Sequence, residues 1–285
     1  MKQRIDDAQI DRLANEPWYV SSRASQKDRF ARCLRLLAAD GFSPEQILDV
    51  GCANGQFSLR LTSVGQTVLG IDINNERILD NRRRFADCDR LRFEQADFLQ
   101  RPFAAGSLDC ITALEVLYYF TPEQQRQFFQ KAYECLRPGG RLLVSVNIFF
   151  SGHFSEASFL STVDPRFRQL QADRIYRNYY YRLELPVIEW LDQLNYLEKL
   201  RIFSPNILKL ERKFYPGIWN ELLLRPSGVM DRYLLPGLRQ LLLGLIESGP
   251  LYRLVTGLTR LVAPESGKSQ LIVLLEKANA REHGD

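Results

Sequence analysis

Residues 49–55 read Asp-Val-Gly-Cys-Ala-Asn-Gly, after the short apolar run QIL and ahead of a helical pattern. A strand that turns tightly into a helix needs glycine where backbone and ligand approach closely, and Gly51 and Gly55 take those places. The helix that follows offers free N–H groups at its start. Asp72 lies 23 residues after Asp49, at the end of the next apolar run, TVLGID. A carboxylate there can accept hydrogen bonds from both hydroxyls of a ribose. Asp97, in Gln95-Ala96-Asp97-Phe98, ends a third run and is placed to accept from the amino group of an adenine. Phe98 or Ile73 would pack on the adenine ring. Cys52 and Asn54 complete the loop, with Cys52 read as a small packed residue rather than a nucleophile.

These residues need a scaffold of alternating strands and helices. The runs at 46–51, 67–73, 90–95, 107–113 and 141–147 are short and apolar, as buried strands are. Between them, 55–64, 75–86 and 122–136 carry helical spacing, and Pro122 sits where a helix begins. Pro138-Gly139-Gly140 reads as a turn, and 24–39 as an amphipathic helix. Such alternation predicts an α/β fold, a mostly parallel sheet with helices on both faces. Further on, 196–203 and 269–277 read as two late strands, whereas 151–185 show no clear period. The expected division is an N-terminal helical cap at 1–45, a core at 46–204 and 269–279, and a leucine-rich helical insertion or lid at 205–268.

ILDVGCANG, VLGIDI, FEQADF, SLDCITALEVLYYF and LRPGGRLLVSV resemble, in order and spacing, the successive motifs of class I S-adenosylmethionine-dependent methyltransferases. The resemblance covers about residues 17–150. It implies a Rossmann-like seven-stranded sheet with the last strand antiparallel. It also implies S-adenosyl-L-methionine as cofactor, with contacts at Asp49, Gly51, Gly55, Asp72, Asp97 and around Glu115. The chain departs from the family at Ala53, where a glycine is often found; a methyl group there is a mild change. Glu16-Pro17-Trp18-Tyr19 and Glu115-Val116-Leu117-Tyr118-Tyr119 are similar to a narrower group, the nodulation-factor N-methyltransferases, which methylate an amino sugar of a chitin-like oligosaccharide. Trp18 and Tyr19 either pack on the core or line the cofactor or acceptor pocket.

Methyl transfer from a sulfonium is an in-line displacement, so alignment and exclusion of water matter most. A hydroxyl acceptor gains from a base, and His153, after the fifth strand, is the candidate. Tyr118 and Tyr119 stand where relatives often carry an acidic residue and a histidine, and they either shape the acceptor pocket or simply pack. Nitrogen and oxygen of a small molecule, such as an amino sugar, glycan or natural product, both remain open as acceptor. The alternatives are a non-catalytic cofactor-binding or interaction protein, and a nicotinamide-dependent oxidoreductase. The second expects G-x-G-x-x-G where this chain has G-C-A-N-G.

A net charge of +4 is too small to argue for nucleic acid. Five cysteines without a C-x-x-C pair point to neither a disulfide framework nor a metal site, and fit a cytoplasmic protein with reduced thiols. The polar start of the chain lacks the apolar stretch of a signal peptide, and no run of 18 uncharged apolar residues would span a membrane. The leucines of 205–268 and the arginine pairs Arg232/Arg239 and Arg253/Arg260 leave a lid, a dimer contact and a shallow membrane contact open, in a monomer or a homodimer.

Overall fold

The computed structural model describes residues 23–147, 155–176, 183–192, 235–262 and 268–278. The chain divides into two compact units, one of 1–17, 28–176 and 264–285, the other of 18–27 and 177–263.

The first unit is built on a seven-stranded sheet. Its strands are β1 (Gln46–Val50), β2 (Thr67–Asp72), β3 (Leu91–Gln95), β4 (Leu108–Leu114), β5 (Leu136–Asn147), β6 (Phe167–Tyr176) and β7 (Lys268–Lys277). They lie in the order β3-β2-β1-β4-β5-β7-β6, and β7 runs antiparallel to both its neighbours. The other neighbouring pairs are parallel. The central strands β1 and β4 are buried over almost their whole length, which explains their unbroken apolar sequence. Between β1 and β4 the strand order reverses, and such a switch point opens a crevice at the carboxyl ends of the strands.

Helices cover both faces. On one side α1 (Ala24–Leu37), α2 (Gln56–Leu61) and α3 (Asn75–Arg84) bury Phe30, Cys33, Phe57, Leu61 and Ile78 against Ile47, Val68 and Ile272. On the other, α4 (Pro122–Cys135) and α5 (Glu156–Leu160) bury Phe128, Phe129, Ala132 and Phe159 against Val50, Ile111 and Val144. α4 starts where its sequence says it should. Pro122 occupies its first turn, and Thr121 and Gln124 form a reciprocal capping box. The glycine turn at 138–140 is instead taken into β5 as an irregularity. Pairing jumps from Leu108↔Leu136 to Cys110↔Arg141, and Gly139 absorbs the extra chain at φ 72°.

The sixth strand is 167–176, inside the stretch that shows no period in the sequence, while 196–203 lie outside the described residues. The reason is geometric. β6 is an edge strand whose register slips at Gln169/Gln171 and again at Ile175/Tyr176, so two-residue alternation is broken twice. β6 and β7 are adjacent antiparallel strands, yet residues 177–267 separate them in sequence.

Within the second unit, the described helices are α6 (185–192), α7 (Leu235–Glu247) and α8 (Gly249–Val262). Ile188 and Leu191 of α6 pack against Leu242 and Ile246 of α7. Ala24 and Tyr252 share a second cluster with Leu183, Leu251 and Val255. Glu184 is fully buried. It accepts from both the backbone N–H and the hydroxyl of Ser25, and faces Arg23 at 3.6 Å.

Candidate active site

The loop after β1 is held in left-handed backbone at three places: Gly51 (φ 69°), Ala53 (φ 47°) and Gly55 (φ 70°). The glycines are required by packing as well as by φ. A methyl group on Gly51 would collide with Val116, and one on Gly55 would come within 2.7 Å of Phe93 and 2.8 Å of Phe85. Ala53 has no such freedom and carries the strain of its φ. Two partners hold it there. Its N–H donates to Asp72 Oδ2 at 3.0 Å, and its carbonyl accepts from Asn81 Nδ2 at 2.7 Å. Asn81 is fully buried, and its Oδ1 is left without a partner among the described residues.

Asp72 closes the opposite wall. Oδ1 accepts from the N–H of Asn74 at 2.9 Å and Oδ2 from that of Ala53, so the carboxylate is oriented while each oxygen keeps a lone pair for a ligand hydroxyl. Asp97, at the end of β3, accepts from the N–H of Leu99 through Oδ1, and Oδ2 has no partner among the described residues. Of the two side chains expected over an adenine ring, Ile73 is 51% exposed and available. Phe98 is 2% exposed and sits in the core, with its ring 4.9 Å from Phe128 and 5.8 Å from Phe103, so it cannot cover a ligand.

Asp49 and Cys52 lie behind this surface. Asp49 is 2% exposed and receives the hydroxyls of Ser58 at 2.6 Å and Thr112 at 2.7 Å, which ties β1 to α2 and β4. Burial raises its carboxyl to about 6, against the pull of those two donors. Burial likewise lifts the Cys52 thiol well above its ordinary range, which keeps it protonated and unreactive. Asn54 stays at the loop surface and receives the N–H of Gln56 at 3.4 Å.

Glu115, just past β4, has a left-handed φ of 61°. Its Oε1 is gathered by Ser145 Oγ at 2.7 Å, by Gln270 Nε2 and by Arg29, whose guanidinium lies at 3.5 Å. Three distant segments therefore meet on one carboxylate oxygen. Tyr118 and Tyr119 follow, with ring centroids 4.4 Å apart and the Tyr118 hydroxyl donating to that of Tyr119 at 3.4 Å. Burial pushes the Tyr118 phenol upward, and the nearby Glu115 charge adds to this, so Tyr118 stays a neutral donor and not a base. Trp18, Tyr19 and His153 lie outside the described residues.

Sequence reasoning brought together Gly51, Gly55, Asp72 and Asp97, and missed Arg29, Asn81, Ser145 and Gln270, which hold the loop and Glu115 in place. A hollow of about 340 Å³ elsewhere, lined by Phe103, Gln127 and Lys131, includes none of these residues.

Comparison with known proteins agrees with this geometry. Residues 47–140 match the family model described as a methyltransferase domain. The chain is 37% identical over 119 residues to a 27-O-demethylrifamycin SV methyltransferase of Amycolatopsis mediterranei, 40% of this chain and 41% of that protein. It is 30% identical over 105 residues to nodulation protein S of Bradyrhizobium diazoefficiens, 37% of this chain and 49% of that protein. The matches thus span less than half the length of these relatives. The fold is similar to that of the N-methyltransferase NodS from Bradyrhizobium japonicum WM9 bound to S-adenosyl-L-homocysteine, with a TM-score of 0.53 and 21% identity, covering 59% of this chain and 89% of that one. Residues 47–140 thus match a methyltransferase domain, and the sheet order, the loop after β1 and the carboxylates at or just past the ends of β2 and β3 are those of the Rossmann-like methyltransferase fold.

Proposed function

We propose that the protein transfers a methyl group from S-adenosylmethionine to nitrogen or oxygen of a small-molecule acceptor. The observation that carries the reading is Asp72, fixed by two backbone N–H donors beside the left-handed loop while its remaining lone pairs stay available. Asp72 would bind the ribose hydroxyls, Asp97 Oδ2 the adenine amino group, and Ile73 the ring face. The bound cofactor supplies a methyl group on a positively charged sulfur, already activated for displacement. The chain's share is then to orient, to exclude water and to manage the acceptor proton. Asp49 acts behind the loop as a tether rather than as a contact. Tyr118, neutral and donating to Tyr119, would shape the acceptor pocket, and His153 would take a proton from a hydroxyl acceptor; an amine need only arrive unprotonated.

A natural product or an amino sugar fits the acceptor class. One relative's name refers to a demethylrifamycin, and the short motifs at 16–19 and 115–119 resemble amino-sugar methyltransferases. The segment between β6 and β7 is the proposed determinant of acceptor choice, since a long elaboration between two paired strands is free to vary with substrate.

The test is calorimetry with S-adenosylhomocysteine and with NAD on the intact protein and on Asp72→Ala. Binding of the first and not the second is expected. The variant should lose ~1–3 kcal/mol, the usual cost of a missing charged acceptor. Equal affinity in a folded Asp72→Ala protein would remove Asp72 from the site, and binding of NAD alone would overturn the reading. A screen of amino sugars, glycans and polyketides for S-adenosylhomocysteine release then identifies the acceptor.

A further inference from the structure

We propose that α7 and α8 form a docking face for an anionic lipid surface. Four of the nine exposed large hydrophobic side chains among the described residues fall on these two helices: Leu241 (62% exposed), Leu254 (60%), Leu258 (53%) and Leu261 (82%). On α8 the three leucines recur at i, i+4 and i+7, which is one stripe of a helix. Tyr252, on the opposite side of α8, is already buried within its own unit, and Leu251 and Val255 at the edge of the stripe are partly buried with it. The stripe is therefore not surplus core. Such a continuous apolar face needs a partner.

Length and bend say how that partner would be met. No single helix among the described residues is long and apolar enough to cross a bilayer. The 13 residues of α7 and the 14 of α8 each reach only about 20 Å, against a hydrocarbon core of about 30 Å. Together Pro236–Glu247 and Gly249–Leu258 have the hydropathy of a spanning segment, but they are bent by 55° at their junction. Two short apolar helices at such an angle suit burial in the interfacial layer rather than passage through it.

Charge selects the partner. Arg253 is exposed on the flank of the leucine stripe, and position 260, also arginine, is seven residues further along the same flank. The two helices carry three arginines and a single acidic residue, Glu247. Over residues 177–263 there are twelve Lys and Arg against eight Asp and Glu, so this stretch holds the whole formal excess of +4 in the chain. A leucine stripe edged by arginine on a positively charged unit is complementary to anionic lipid. A second copy would instead bring the same positive surface against itself across a two-fold axis.

The test is flotation of the full chain with phosphatidylcholine vesicles and with vesicles holding a quarter phosphatidylglycerol, in low and high salt. Binding to the anionic vesicles, weakened by salt and at least tenfold poorer on neutral ones, is expected. Leu254→Glu/Leu258→Glu should lose at least tenfold in partitioning with its unfolding midpoint little changed. Arg253→Glu, which leaves the apolar stripe intact, should lose most of the preference for anionic vesicles, so the idea stays testable if the double variant misfolds. Recovery of the intact protein in the unbound fraction with both vesicles would overturn the proposal. So would a dimer, seen by sedimentation velocity, that the double variant dissociates without any change in vesicle binding. Equal binding to neutral and anionic vesicles would overturn the role of charge. None of these readings depends on methyl transfer.

Discussion

The strand-end loop of the first unit and the helix pair of the second put unfavourable features to different uses. At Ala53 and Glu115 the cost is backbone strain, and the surroundings over-determine it through Asp72, Asn81 and the donors on Glu115, while Val116 and Phe93 close in on Gly51 and Gly55. On α7 and α8 the cost is exposed leucine, and nothing among the described residues of the unit covers it. Strain surrounded by such constraint suits a site that must present one geometry. Apolar surface left open suits a face completed by something outside the chain. The loop should therefore answer sharply to small changes, and the helix face should tolerate them in solution.

The largest effect is expected at Gly51. Gly51→Val combines a β-branched residue at φ 69° with a collision at Val116, and should cost about 3 kcal/mol or more in folding stability. Urea unfolding and S-adenosylhomocysteine calorimetry check it. A stable variant with full affinity would show that the loop is not over-determined. An equally bulky change at Gly244 or Gly257, where an added Cβ meets nothing within 4 Å, should cost no such amount.

Asp49 gives a smaller effect with a definite sign. Its folded carboxyl titrates at about 6, while an unfolded one titrates near 3.9. The folded state thus holds the proton more tightly. This contribution to stability is full below about pH 4 and is lost as pH rises through about 6, about 2–3 kcal/mol in all. Asp49→Asn, which cannot titrate, should show a flatter dependence between pH 4 and 7 in urea titrations. Parallel curves for the two proteins would show that the buried carboxylate is not the source.

The smallest effect should be a gain. Ala53→Gly relieves left-handed strain, partly offset by a looser unfolded chain, and should stabilise by about 0.5–1 kcal/mol. A loss of stability on thermal unfolding would mean that the methyl group of Ala53 has a packing role that outweighs its strain.

Much of the first unit was legible because its signals are local. A glycine turn after an apolar run, an acidic residue at the end of the next strand and Pro122 behind Thr121 each depend on a few adjacent residues. These were enough to set the five parallel strands and to put Gly51, Gly55, Asp72 and Asp97 at or just past their carboxyl ends. What tertiary structure decided is what depends on separation. Gln270 reaches Glu115 across 155 residues, and Arg29 approaches the same carboxylate from α1; neither carries any mark in its own neighbourhood. β6 hid because two register slips erase its alternation. Phe98 and Ile73 are both large apolar residues just past the ends of adjacent strands, and only packing decided that one faces the core and the other solvent. Periodicity gives the face of a helix or strand, but which face meets what is set by the partners that folding brings to it.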